Sequence, residues 1–210
     1  MLDNLVDFDP EKLTKPEEMP VLDRWLLTKL NELIEKAEQS YCDYEFHIIT
    51  HAVNDFCVNT LSSFYLDIVK DRLYCADEHA RRCAQTALYR ILVDFTKLVA
   101  PILCFTAQEI WSYIPKLEGM QEYVCWERMP EAKSDEDAAF DAKWAKIIAV
   151  RDDVKKVLEQ ARADKVIGSA LEAGLTLYCS KEVYDFLNAI PMDELADLFI
   201  VSHVDLVEGE

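Results

Sequence analysis

The stretch SSFYLDIVKDRLY, residues 62–74, decides how the chain is read. It has the form of the end of a helix that is apolar on one face and turns abruptly charged at Lys70-Asp71-Arg72. At about 100° per residue, Cys57, Val58, Leu61, Phe64, Tyr65, Ile68 and Val69 fall on one side and Lys70 on the opposite side. Arg72 falls on the apolar meridian, in line with Leu61, Tyr65 and Ile68. A cation there, in the last turn of a helix, favours the helix dipole and calls for a carboxylate at the edge of the core.

Working outward, the same logic predicts a mainly α chain. Only four glycines and seven prolines interrupt 210 residues, 51% of them hydrophobic. So few breakers argue for long helices around one sizeable core. Residues 1–20 carry three X-Pro pairs and are predicted to be a linker. A first helix is predicted from near Pro20 to Gln39, with Leu22, Leu26, Leu30, Leu33, Ile34 and Ala37 buried. The second covers 45–74 and the third 78–100. Pro101 kinks or divides the third from a fourth at 102–114. Residues 115–140 are an acidic connector, and a fifth helix spans 138–163. From Leu171 the period becomes two, which predicts a strand, then a helix at 182–188, a helical turn at 193–198 and a second strand at 198–207. The expected architecture is a bundle of about five helices over 21–165, followed by a strand-helix-strand α/β tail over 166–210.

Net charge is −18, which speaks against a nucleic-acid partner until it is resolved along the chain. Residues 1–20 hold 6 acids and 2 bases, 118–141 hold 8 and 2, and 182–210 hold 8 and none. Residues 142–181 hold 8 bases and 5 acids, a local net of +3. On the fifth helix, Trp144, Arg151, Lys155 and Arg162 fall within roughly 40° of one another, beside a core stripe of Ile147, Val150, Val154, Leu158 and Ala161. On the first helix, Trp25, Lys29, Glu32 and Lys36 share one edge. An aromatic ring flanked by lysines can stack on an unpaired base while the amines neutralise phosphates. A solvated charged face and a tryptophan at the core boundary explain the same letters.

Other chemistry has little support. His47 and His51 share a helix face, but Ile48 stands where a metalloprotease needs its glutamate, and no third ligand is near. Cys75, His79 and Cys83 are four apart, but Asp77-Glu78 reads as a helix start that leaves Cys75 outside, and the chain has no CxxC pair. The seven cysteines read as reduced filler of the core, which fits a cytoplasmic protein. There is no GxxxxGK[ST] or GxGxxG phosphate loop. No stretch approaches a membrane span, and the acidic start is not a secretory signal.

Three segments carry a resemblance: 62–74, MPVLDRWLLTKLNELI at 19–34, and VRDDVKKVLEQARADKVIGSALEAGLTLY at 150–178. Together they resemble the anticodon-binding region of the isoleucyl-tRNA synthetases, class I ligases. Asp23-Arg24-Trp25 is similar to the tripeptide that opens the first bundle helix in the wider valine, leucine, isoleucine and methionine group. Val150–Lys165 with Leu171-Glu172-Ala173 is shared in kind with the valyl enzymes, and Ala170 stands where the family often has serine. Residues 62–74 look isoleucyl rather than valyl. The resemblance implies a helical bundle that packs on the inner corner of tRNA-Ile and helps read its anticodon. Its implied tRNA-binding candidates are Arg24, Trp25, Lys29, Lys70, Arg151, Lys155, Arg162 and Lys165, with no catalytic or metal residue. It also implies a parent enzyme that joins isoleucine to tRNA-Ile with ATP and magnesium. The ATP-handling signatures of the HIGH and KMSKS type are absent here. The chain is thus expected to be a monomeric, catalytically inactive piece that follows a missing catalytic body and stops before a zinc-binding end. A valyl fragment and a helical module that binds no RNA are the alternatives.

Overall fold

A computed structural model describes residues 1–133 and 138–209, with side chains left undescribed at 138 and 139. Its contacts group into two units, Met1–Asp137 and Ala138–Glu210. The helix over 138–163 groups by contact with the C-terminal residues.

In the first unit, α1 (Val21–Cys42) begins directly after Pro20. It packs against α2 (Phe46–Asp55), against the π-helical turns Phe56–Tyr65 that continue α2, and against α4 (Glu78–Val99). The π-helical turns run on into α3 (Leu66–Tyr74), which also packs on α4. The predicted α1 stripe is buried at Leu26, Leu30, Leu33, Ile34 and Ala37. Asp77 caps α4 by accepting a hydrogen bond from the Ala80 N–H at 2.8 Å, which leaves Cys75 outside the helix as its letters suggest. Pro101 divides rather than kinks, and α5 (Cys104–Tyr113) starts three residues later.

The helical phase assigned around Arg72 holds from Leu61 onward. Leu61, Phe64, Tyr65, Ile68, Val69 and Leu73 are buried. Upstream it slips. Val58 is 50% exposed, whereas Phe56 is buried and stacks on Phe95 with ring centroids 6.1 Å apart. The reason is the i→i+5 ladder of the π turns, whose wider turn breaks the 3.6-residue count.

Residues 1–20 do more than link. Leu5, Phe8 and Met19 are buried. Phe8 lies 5.2 Å from the Tyr89 ring, the Gln85 amide donates to the Asn4 carbonyl at 2.8 Å, and Asp7 pairs with Arg81 at 2.7 Å. The segment is a strap along α4. The acidic connector is also laid down on the bundle as far as Lys133. Val124 is buried, Tyr89 donates to the Pro115 carbonyl, and the Asn31 side-chain amide exchanges two hydrogen bonds with the backbone of Lys133. Residues 134–137 lie outside the described residues.

In the second unit, α6 (Ala138–Ala163) buries Trp144, Ile147 and Val154 and packs on α8 (Met192–Phe199). Strands β1 (Gly174–Cys179) and β2 (His203–Glu208) pair in parallel, Gly174 against His203 and Cys179 against Glu208. A parallel pair requires a crossover, supplied by α7 (Lys181–Asn188) and α8. Both strands begin later than predicted. Leu171 belongs to a 3-10 turn, and Leu198 and Phe199 end α8, where Ile200 takes a left-handed φ of 58°.

The cysteines are not filler as a set. All seven are free thiols, but only Cys83 and Cys179 are buried, and Cys42, Cys75, Cys104 and Cys125 are exposed. Cys42 ends α1, Cys75 follows α3 and Cys104 starts α5, so these three lie at helix ends. Among the described residues no helix is long and apolar enough to cross a membrane.

Candidate nucleic-acid interface

The predicted site residues begin at the start of α1, where Asp23 is fully buried. Arg72, in the last turn of α3, makes a two-pronged ion pair with it: Nη1 reaches Oδ2 at 3.0 Å, and Nη2 reaches Oδ1. The Tyr65 hydroxyl donates to the same Oδ1 at 2.9 Å. An acid at a helix N-terminus and a base at a helix C-terminus each favour their own dipole, so the pair satisfies both helix ends at once. Burial alone would lower the pKa of Arg72, but its bonds to Asp23 and that residue's charge outweigh it and hold the guanidinium charged. Burial, then the charge of Asp23, pushes the Tyr65 phenol well up. This cluster is the carboxylate partner expected from the position of Arg72, and its role is structural.

The candidates around it separate. Trp25 is 3% exposed, with its ring edge-on to Phe64 at 4.9 Å, and so cannot stack on a base; the sequence expectation for it is corrected here. Arg24 beside it is half-buried. Lys29 pairs with Glu32 at 2.5 Å and shares a cleft of about 320 Å³ with Lys36 and His51. Lys70 is exposed, as expected from its helical phase, and pairs with Asp67 at 2.6 Å. That salt bridge raises its pKa.

On α6 the expected basic row also splits. Trp144 is core. Arg151 donates from Nε to the Leu198 carbonyl at 3.0 Å, a cation set against the last turn of α8. Lys155 is exposed. Arg162 and Lys165 do come together, lining a cleft of about 530 Å³ with Glu159, Ile167 and Gly168. The chain reverses there. The Val166 N–H bonds back to the Ala161 carbonyl at 2.9 Å, and Lys165 takes a φ of 59° where helices usually place glycine. The Gly168 N–H donates to Glu172 Oε2 at 3.0 Å, and a Cβ at that glycine would lie 3.1 Å from the same oxygen.

A third basic group was missed. Arg90 and Lys97 of α4 line a cavity of about 290 Å³ with Asp94, Arg128 and Lys133. Its signal is present in ALYRILVDFTKLV, where Arg90, Asp94 and Lys97 recur at 4 and 3 on one face of an otherwise largely apolar stretch. Among the described residues no group of three or more His, Cys, Asp or Glu side chains is placed to hold a metal ion.

Comparison with known proteins agrees with this architecture. The family model described as the anticodon-binding domain of tRNA ligase matches residues 23–177. An isoleucine–tRNA ligase of Syntrophotalea carbinolica is 46% identical over 99% of this chain and 23% of its own length. Those of Moorella thermoacetica and Bacillus mycoides are 43% and 47% identical over 98% of this chain and 22% of theirs. The chain spans under a quarter of the length of these relatives.

Proposed function

We infer the function from the family: the chain belongs to the anticodon-binding domain family of tRNA ligases, and it acts as the tRNA-holding part of an isoleucine–tRNA ligase. The observation that carries this is sequence identity of 43 to 47% with such ligases along essentially the whole chain. These relatives are isoleucine enzymes, which leaves the valine alternative without support. In such a ligase, ATP and magnesium would drive the joining of isoleucine to tRNA-Ile. The contribution of this chain is to bind and orient the RNA, as its family match supports. The exposed cations Lys70, Lys155, Arg162 and Lys165 are its phosphate contacts. They fix register on the RNA, while base contacts supply choice.

The test is a gel shift of the 210-residue chain against tRNA-Ile, tRNA-Val and an unrelated tRNA over a range of salt. With three acidic segments facing a polyanion, binding is expected in the range of about 10⁻⁴ to 10⁻⁶ M near physiological salt, weakening steeply as salt rises. A complex that forms equally well at all salt concentrations, or no complex with any tRNA, defeats the reading.

A further inference from the structure

The cavity between α1, α4 and the end of the connector has an unusual charge pattern. Leu27 and Leu30 of α1 give it an apolar wall, and Arg90 and Asp94 of α4 face Arg128 and Lys133 across it. Lys97 is already paired with Glu127 at 3.3 Å. No side-chain hydrogen bond or ion pair joins Asp94, Arg90 or Arg128 to another described residue. Opposite charges that line one small space without touching are an uncommon arrangement, because collapse onto each other would satisfy them. The backbone on either side of the cavity is held in place. The two helices pack directly, and the connector is pinned by the Asn31–Lys133 pair and by the Lys97–Glu127 bridge. Burial raises the carboxyl of Asp94 against the pull of Lys97, Lys133 and Arg90, so its ionised form lacks adequate solvation.

We propose that this cavity takes one unstacked nucleotide of the bound RNA, its phosphate on Arg90, Arg128 and Lys133 and the exocyclic amino group of its base on Asp94. The inference rests on the RNA-binding reading above. The lining carries chemistry for both groups. Guanidinium forks grip phosphate oxygens, and a carboxylate accepts from a base amine such as cytosine N4. Splayed single-stranded bases are read in this way on their hydrogen-bonding edges. The volume, about 290 Å³, lies near the lower end for small-ligand pockets, which is the scale of one nucleotide rather than of a helix. Uracil, with no exocyclic amine, is the base the site rejects.

The sign of one substitution separates this role from mere proximity. If Asp94 only sits near RNA, it repels phosphate, and Asp94→Asn tightens binding. If it holds a base, Asp94→Asn weakens binding. The experiment titrates the full chain and the variants Asp94→Asn and Arg128→Ala with tRNA-Ile between about 50 and 200 mM salt. Binding to short oligocytidylate and oligouridylate is measured alongside. Arg128 is exposed and unbridged, so its variant keeps the fold, and melting curves verify both proteins. The expected result is about tenfold weaker tRNA binding for Asp94→Asn at unchanged salt slope, with loss of any preference for cytidylate. Arg128→Ala weakens binding and lowers the salt slope by about one. Equal or tighter binding by Asp94→Asn, or an unaltered Arg128→Ala, overturns the proposal. A parent chain that binds no tRNA overturns the RNA-binding reading itself and the pocket with it.

Discussion

Replacing Arg72 by alanine tests the packing logic most directly. The change removes two charge-assisted hydrogen bonds, each worth about 1.5–3 kcal/mol. It leaves Asp23, with no exposed surface, as a buried carboxylate without its cation. Breaking a buried pair from one side costs about 3–5 kcal/mol. The lower end applies here, because Asp23 keeps the hydrogen bond from Tyr65 and the N-terminal dipole of α1. A loss of about 3 kcal/mol corresponds to a melting point about 10 °C lower for a chain of this size. Thermal melts followed by helical circular dichroism read it out, and urea midpoints should fall at unchanged slope. Two controls frame the result. Lys70→Ala, which removes only an exposed pair with Asp67, melts like the parent. The triple change Asp23→Leu, Tyr65→Phe and Arg72→Met recovers most of the lost stability, because an apolar replacement of all three strands neither a charge nor the Tyr65 hydroxyl. An Arg72→Ala protein that melts within about 2 °C of the parent would refute the reasoning.

Phe8→Ala should cost about 3 kcal/mol and expose residues 1–20 to faster proteolysis, because the ring is buried against Tyr89 and Arg82. Asp94→Asn should raise stability near neutral pH. A carboxyl whose folded pKa lies above its unfolded value favours the fold when protonated and loses that contribution as pH rises through the folded value. The gain over the parent, read from melts in a pH series, therefore shrinks as pH falls toward the ordinary carboxylate range. Arg162→Ala with Lys165→Ala should weaken tRNA binding and lower the salt slope by about two, with little change in melting point.

Where one helical period ran unbroken, residue letters were enough. The side of Arg72 and the exposure of Lys70 both follow from counting along Leu66–Leu73. Counting failed upstream because the i→i+5 turns leave no trace in a hydrophobic pattern. Trp25 sat at the edge of the α1 stripe by count and became core because Phe64, distant in sequence, covers it. The strap along α4 was hidden for a related reason. Leu5, Phe8 and Met19 lie in a 3-10 turn and in backbone outside regular helix and strand, where burial has no fixed period and only the partner surface decides. The basic row on α6 was correct as a row of letters. Whether a cation meets solvent or a carbonyl, as Arg151 does at Leu198, depends on a second element that helical phase cannot place.

The π-helical turns over Phe56–Tyr65 give this helix a reserve of length. Each such turn spends more residues per revolution than an α-helical one. Loss of a residue there can be absorbed by tightening a turn, with Ile49 before it and Arg72 after it still facing the core. The same loss within α1 would rotate half of its buried stripe into water. Among descendants of this sequence, the middle of the α2–α3 helix is therefore where insertions and deletions can accumulate without unseating the Asp23–Arg72 pair.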